Sequence, residues 1–266
     1  LYIFCVIFLR SVCFCFQKYV YRYMEVPKFI FIVPYRDREQ HYLFFKSHMS
    51  KILENIDHRI LYIHQNDKRA FNRGALKNIG FLIVKDLYPD NYKNITLVFN
   101  DIDTMPFTQG FLDYNTNSSI IKHFYGFKFA LGGIVSIKAG DFEKINGFPN
   151  YWGWGFEDNE LQKRVLNAKM KIDRSQFYDI MDKNILHLQH GFDRPINRAD
   201  MKKYKSNSNE GIKNIKNLEY INNDDFIDIN SFDTGRAEDV SKRMNFDLKS
   251  GNKINISRLG GMKMCF

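Results

Sequence analysis

The stretch Thr96–Phe107, TLVFNDIDTMPF, constrains this chain more than any other. An apolar run of strand character leads directly into Asp101-Ile102-Asp103, followed by Met-Pro. On a strand, residues i and i+2 share a face, so this spacing sets both carboxylates on one side. Two like charges held together are costly unless a cation neutralises them. Alone, the Asp-x-Asp spacing is weak, since many loops contain it. Its weight comes from the apolar strand before it and the proline after it.

The residues upstream read as alternating strands and helices. Phe29–Val33 (FIFIV) is a short β-rich run ended by Pro34, and Arg36 and Arg38 follow at once. Ligands of an open α/β sheet bind beyond the carboxyl ends of its strands, and arginine offers forked donors to phosphate. The plainer reading of these two arginines is a solvated charged turn. A helix is predicted from about Glu39 to Ile56, and a second strand over Arg59–His64. Leu76, Ile79, Ile83 and Leu87 recur at helical spacing behind Asn72, a good N-cap. Arg73 at that helix start is unfavourable to the helix dipole, and a bound anion would explain it.

Downstream, Asn115–Ser119 reads as a loop, and Phe124–Ile137 as two short strands around Gly132-Gly133. A short helix over Ala139–Ile145 leads into INGFPNYWGWGFEDNE, residues 145–160. This stretch holds the chain's two tryptophans, spaced by Gly153 and Gly155, and then Glu157, Asp158 and Glu160. Indole faces suit the apolar side of a sugar ring, and a carboxylate beside them can take a proton from a bound hydroxyl. The plainer alternative is a glycine-rich turn that packs both tryptophans into the core, with Asp158 as a helix cap. Leu161, Val165 and Ala168 share a helical face, so the carboxylates fall in a first turn, where the dipole favours them. Ile185–His190 (ILHLQH) reads as a strand carrying His187 and His190. A single histidine is usually structural. Two beside a strand end, following Asp-x-Asp, look like a metal set of one carboxylate and two imidazoles, suited to Mn²⁺ and similar ions.

With 266 residues, 44% of them hydrophobic, the chain can form one large α/β domain or a domain with a tail. The net charge of +9 is spread along the chain. Three partner classes fit it: nucleic acid, an acidic membrane surface or a phosphate-bearing substrate. Nucleic-acid binding predicts clustered basic residues interleaved with aromatics, whereas these arginines fall at strand and helix ends. The cysteines are Cys5, Cys13, Cys15 and Cys265, which leaves the body without a disulfide and fits a reducing compartment. Sequons at Asn94, Asn117 and Asn255 are expected by chance in so asparagine-rich a chain. Residues 1–23 are apolar but short of a spanning helix, with Lys18, Arg22 and Lys28 on the C-terminal side. They are either an anchor that holds the domain in the cytoplasm or untranslated sequence ahead of Met24. Residues 24–205 carry every motif, and residues 206–266 read as a polar extension partly packed on that domain.

NGFPNYWGWGFED closely resembles the acceptor-binding signature of the β-1,4-galactosyltransferases, which are inverting, metal-dependent enzymes of the GT-A fold. Five motifs follow in family order between Phe29 and Arg198. The resemblance implies an α/β domain whose mixed, mostly parallel sheet is flanked by helices. It implies that Arg36 and Arg38 contact UDP, that Arg73 lies near the donor nucleotide, and that Asp101 touches the nucleotide sugar. Gly133 brings a backbone N–H close to the donor, and Trp154 lies against both substrates. Asp103 and His190 ligate Mn²⁺, or Mg²⁺, with His187 in the place of a methionine. Asp158 is the catalytic base, and Glu157 and Asn159 hold the acceptor glycan. Residues 191–205 correspond to a loop that closes over the donor. Ala130 replaces a tyrosine that narrows the donor pocket, so UDP-N-acetylgalactosamine is expected beside UDP-galactose. Phe156 departs from the usual Gly or polar residue and Asn159 from an Asp found in many members, which leaves the acceptor open. The cytoplasm, of a cell or one infected by a virus, is favoured over a Golgi-type anchor, and a degenerate sugar-binding protein is the alternative function.

Overall fold

The computed structural model describes residues 25–204 and 209–249. The segment 1–23, the four cysteines and the sequon at Asn255 lie outside the described residues. The strands are β1 (Phe29–Tyr35), β2 (His58–Gln65), β3 (Thr96–Asn100), β4 (Thr104–Pro106), β5 (Ile120–Gly126), β6 (Ile134–Lys138) and β7 (Lys171–Asp173). They continue with β8 (Tyr178–Asp179), β9 (Ile185–His187), β10 (Asp193–Asn197), β11 (Lys216–Asn223), β12 (Phe226–Asp233) and β13 (Arg243–Asp247). The helices are α1 (Glu39–Ile52), α2 (Arg73–Leu87), α3 (Ala139–Lys144), α4 (Glu157–Asn167) and α5 (Arg198–Lys203). Among the described residues no helix is long and apolar enough to cross a membrane.

The main sheet runs β11-β12-β2-β1-β3-β6-β5-β7, with β8 also paired to β5. The pairs β12–β2, β2–β1, β1–β3, β5–β7 and β5–β8 are parallel, while β6 runs antiparallel to both its neighbours. The sheet is therefore mixed and mostly parallel, as expected. Alternation sorts β1 onto two faces. Ile30 and Ile32 pack with Leu76, Ile79 and Val84 of α2, while Phe31 and Val33 pack with Phe45 and Met49 of α1. A strand buried on both faces reads as a continuous apolar run, which is why FIFIV and TLVFN were legible.

Several boundaries differ from expectation, and the first strand runs on through Pro34 to Tyr35. Helix α1 ends at Ile52, because the residues after it turn back to start β2. Strand β3 ends at Asn100, so Asp101 and Asp103 do not sit on a strand. They flank a turn closed by the Thr104 N–H donating to the Asp101 carbonyl at 3.2 Å. The segment read as an extension adds β11 and β12 to the main sheet, and β13 pairs with β10.

Candidate active site

The carboxyl ends of β1 and β3, the N-terminus of α2 and the start of β6 open on one cleft of about 450 Å³. The residues assigned above to donor, acceptor or metal all line it: Arg36, Arg38, Arg73, Asp101, Asp103, Gly133, Trp154, Glu157, Asp158, Asn159, His187 and His190.

Its floor is organised by Arg73. The side chain of Asn72 caps α2 by accepting the Ala75 N–H at 2.9 Å, which fixes Arg73 at the first helical position. The guanidinium donates to Asp101 through Nε (2.9 Å, Oδ1) and Nη2 (2.7 Å, Oδ2). Through Nη1 it reaches Glu157 Oε1 at 2.7 Å and both oxygens of Asp158 at 2.8 and 2.9 Å. The anion that explains an arginine at a helix start is thus the protein's own. Burial works against the Arg73 charge, but Asp101, Asp158 and Glu157 outweigh it and push its pKa well up. Burial opposes ionisation of Asp101 too, and there Arg73 and Lys77 prevail and lower its pKa. Glu157 is buried, its Oε2 accepts the Gly155 N–H at 3.1 Å, and burial followed by the neighbouring Asp158 raises its pKa.

The Gly132-Gly133 turn ties this cluster together. The Gly133 carbonyl accepts the Asp101 N–H at 3.1 Å, and the Leu131 N–H donates to the Asp158 carbonyl at 3.0 Å. A Cβ on Gly132 would stand 2.3 Å from Asp158 Oδ2, so the carboxylate can lie here only against a bare backbone. Gly133, at φ +66°, would clash with the Tyr125 carbonyl at 2.3 Å and needs the left-handed region open to glycine.

The two tryptophans divide the alternatives between them. Trp152 is fully buried and stacks on Phe232 with ring centroids 5.7 Å apart, whereas Trp154 is half-buried on the cleft wall. Phe156, which precedes α4, adopts φ +68° and stacks on Tyr204 at 4.8 Å. That left-handed backbone is one that glycine adopts most readily. Asn159 turns its amide to the Phe129 carbonyl at 3.2 Å. Ala130, beside it, is buried on the wall.

The other end is less complete. Asp103 Oδ2 lies 3.3 Å from His190 Nδ1 and accepts from Arg38 Nη1 at 3.0 Å. Burial and the nearby Asp101 raise the Asp103 pKa. Among the described residues the two buried ring nitrogens of His190 find no hydrogen-bond partner, and burial together with Arg38 pushes its pKa down to about 3. His190 is therefore a neutral imidazole, the form that ligates metals. It lies beyond β9, which stops at His187 rather than running to His190. β9 pairs with β4, Thr104 opposite His187, and the Leu188 N–H donates to the Asp103 carbonyl at 2.8 Å. His187 Nδ1 is 2.8 Å from the Tyr125 hydroxyl, which accepts the Met181 N–H. In the tautomer whose Nδ1–H donates to that oxygen, Nε2 keeps a lone pair for a cation, held by an outer partner as ligating histidines usually are. Among the described residues no three His, Cys, Asp or Glu side chains close into a finished metal set. Asp103 and His190 converge, and Arg38 holds the carboxylate oxygen that faces them. Carboxylate and imidazole are donor types that suit a divalent cation; Asp103 and His190 meet, while His187, also on the cleft lining, is not gathered with them into a set of three. Arg36, meanwhile, is anchored on the Arg69 carbonyl at 2.6 Å and lies over the Phe71 ring.

Sequence reasoning missed Lys77 and Tyr125. Lys77 is fully buried on α2 behind the carboxylates, its Nζ 3.6 Å from Asp101 Oδ1 and 3.8 Å from Asp158 Oδ1. Its signal was a lysine within an apolar helix run, four residues after Arg73 and so on the same face.

A family model described as the N-terminal region of glycosyl transferase group 7 matches residues 24–114, and one described as the N-terminal domain of galactosyltransferase matches residues 116–191. The xylosylprotein 4-beta-galactosyltransferase of Caenorhabditis elegans is 32% identical over 194 residues, 69% of this chain and 64% of that protein. Mouse beta-1,4-galactosyltransferase 4 is 36% identical over 156 residues, 54% of this chain and 44% of its own length. The chain thus spans between two-fifths and two-thirds of these curated relatives. The catalytic domain of Drosophila beta-1,4-galactosyltransferase 7, solved with xylobiose, superposes with a TM-score of 0.63 at 24% identity, covering 80% of this chain and 96% of that one. A mutant of that Drosophila protein, solved with manganese, UDP-Gal and xylobiose, gives 0.62 at the same identity and coverage. On the matched models and the cleft they span, the chain belongs to the group 7, galactosyltransferase family of glycosyltransferases.

Proposed function

We propose that the protein is a metal-dependent, inverting glycosyltransferase. It moves galactose or N-acetylgalactosamine from a UDP-sugar to a hydroxyl of an acceptor sugar, in a β-1,4 linkage. The observation that carries this reading is the meeting of Asp101 and Asp158 on one guanidinium, each within 2.9 Å of Arg73. A carboxylate for the nucleotide sugar and a carboxylate for the acceptor are thereby held side by side.

Asp103, His187 and His190 are the residues that would hold a divalent ion. When bound, such an ion supplies Lewis acidity toward the departing diphosphate. Arg36 and Arg38, at the end of β1, offer donors to the nucleotide and its phosphates. Asp101, oriented by Arg73, fixes the donor sugar, whose approach to the backbone N–H of Gly133 needs the glycine pair. Trp154 presents a face to the acceptor ring, while Glu157 and Asn159 fix its hydroxyls. Asp158 takes the proton of the attacking hydroxyl. That oxygen bonds to the anomeric carbon from the face opposite UDP, the bond to the diphosphate oxygen breaks, and the configuration inverts. Ala130 leaves room where a larger side chain would press on a 2-acetamido group, which supports N-acetylgalactosamine as a second donor.

The test is a donor-by-acceptor screen with Mn²⁺ and with Mg²⁺. UDP-galactose and UDP-N-acetylgalactosamine are paired with xylobiose, the sugar in the Drosophila structures, and with other disaccharides. Metal-dependent transfer is expected. Neither transfer nor UDP-sugar hydrolysis with any pair would overturn the reading in favour of a sugar-binding protein.

A further inference from the structure

Lys77 is a buried cation that the mechanism above does not use. Burying an ammonium is expensive unless charge and contacts replace its water. The structure supplies the Asp101 and Asp158 carboxylates at 3.6 and 3.8 Å, and the face of Phe148 with its centroid 4.7 Å from Nζ. Burial and the adjacent Arg73 lower the Lys77 pKa, opposed by Asp101, Asp158 and Glu157. Lys77 does not line the cleft, so it meets no substrate. It reaches the same oxygens that Arg73 holds from the front: Oδ1 of Asp101 and Oδ1 of Asp158.

The charge count shows why a second cation matters. Asp101, Glu157 and Asp158 meet Arg73 and Lys77, three negative charges against two positive. Without Lys77, three carboxylates would share one guanidinium. Glu157 is buried and pinned by the Gly155 N–H, and Asp101 is gripped by two Arg73 nitrogens. Asp158 is the member with most freedom, since all its side-chain bonds to Arg73 run through a single nitrogen, Nη1, which Glu157 also claims. Repulsion would therefore turn Asp158 out of the cluster.

We propose that Lys77 is a positioning residue for this family's chemistry in this chain: its ammonium, behind Asp101 and Asp158, holds the proton-accepting carboxylate aimed into the cleft and couples it to the donor-side aspartate. The proposal rests on the transferase reading for its catalytic consequence, but the pairing itself is testable without activity.

The experiment combines Lys77→Met, which keeps length and removes charge, with Lys77→Arg, Asp158→Asn and the Lys77→Met/Asp158→Asn double variant. Melting temperatures form a double-mutant cycle. The expected result is strong non-additivity, with Asp158→Asn costing far less in the Lys77→Met background than in the wild type. In the transfer assay, Lys77→Met should lower kcat about 10- to 100-fold, the scale of a reacting group displaced by roughly 1 Å, while KM for the UDP-sugar stays within about threefold. Lys77→Arg, which keeps the charge, should recover most of that loss. An additive cycle overturns the proposal even if Lys77→Met proves inactive. Wild-type kcat in Lys77→Met overturns it too, as does equal loss in Lys77→Arg and Lys77→Met. Inactivity of the wild type with every donor and acceptor instead overturns the function proposed above, and the cycle still reads the pairing.

Discussion

The two ends of the cleft are built on opposite plans. Around Arg73 the protein closes its own electrostatics: three carboxylates are met by two buried cations, and the Gly155 N–H holds the other oxygen of Glu157. Around Asp103 the account stays open, with an imidazole that lacks a hydrogen-bond partner among the described residues and meets the Asp103 carboxylate at 3.3 Å, and an aspartate held by one arginine. A group that must keep its aim through every turnover gains from neighbours that never leave. A group that must grip and release a soluble ion gains from being left short of partners. The contrast separates the half of the site that is preorganised by folding from the half that, on the proposed function, a metal ion would complete.

The sharpest way to break this contrast is Asp158→Asn. It should lower turnover on the order of 10²–10⁴-fold while the affinity for UDP, read by calorimetry, stays near that of the wild type. If UDP affinity falls in parallel, the closed half is not separate from the donor end. Next is His190→Ala. Added Mn²⁺ should raise the wild-type melting temperature, because a ligand bound only by the folded state adds about 2.7 kcal/mol at 100 times its Kd. That rise should vanish in the variant, with the Mn²⁺ needed for half-maximal activity up at least about tenfold. A rise that survives means the open half is not where metal binds. A smaller effect is expected of Ala130→Tyr. It should shift the ratio of kcat/KM for N-acetylgalactosamine over galactose against the bulkier sugar by about 10-fold, the scale of crowding in a pocket. An unchanged ratio removes Ala130 from donor selection. The smallest effect is Phe156→Gly. Relief of a left-handed backbone, worth about 1–3 kcal/mol, is set against a lost stack of about 0.5–1.5 kcal/mol and added chain entropy. Chemical denaturation should show a net change within about 1 kcal/mol. A loss of several would make the Phe156–Tyr204 stack a principal tie of α5 to the cleft.

Much of the open half was legible before any coordinates, and less of the closed half. Asp103, His187 and His190 announce themselves by chemistry, because few structural roles call for imidazoles beside a strand end. Strands such as FIFIV and TLVFN were readable because burial on both faces demands unbroken apolar runs. Asp101 and Asp103 both line the cleft as expected, but the turn after β3, not the period of a strand, brings them there. Lys77 stayed hidden because a lysine in an apolar helix run looks like any snorkelling surface residue until its depth is known. The partner that satisfies Arg73 was hidden too. It arrives from residues 84 and 85 positions away in sequence, through a contact that no local pattern encodes. The last third was hardest to read. β11 alternates exposed and half-buried residues at a sheet edge, and so carries too little apolar signal to be told from a loop.

That edge has a consequence for any shortened version of this protein. β12 lies parallel to β2, from Phe226 opposite Tyr62 to Ile229 opposite Gln65, and buries Ile227 and Ile229. A polypeptide stopped before Lys216 would strip the cover from β2 and bare a row of hydrogen-bonding groups beside apolar side chains, a template for sticking to other chains. Such a truncation would keep every residue assigned above to donor, acceptor or metal, losing Leu248 from the cleft lining, and would be expected to precipitate rather than to work.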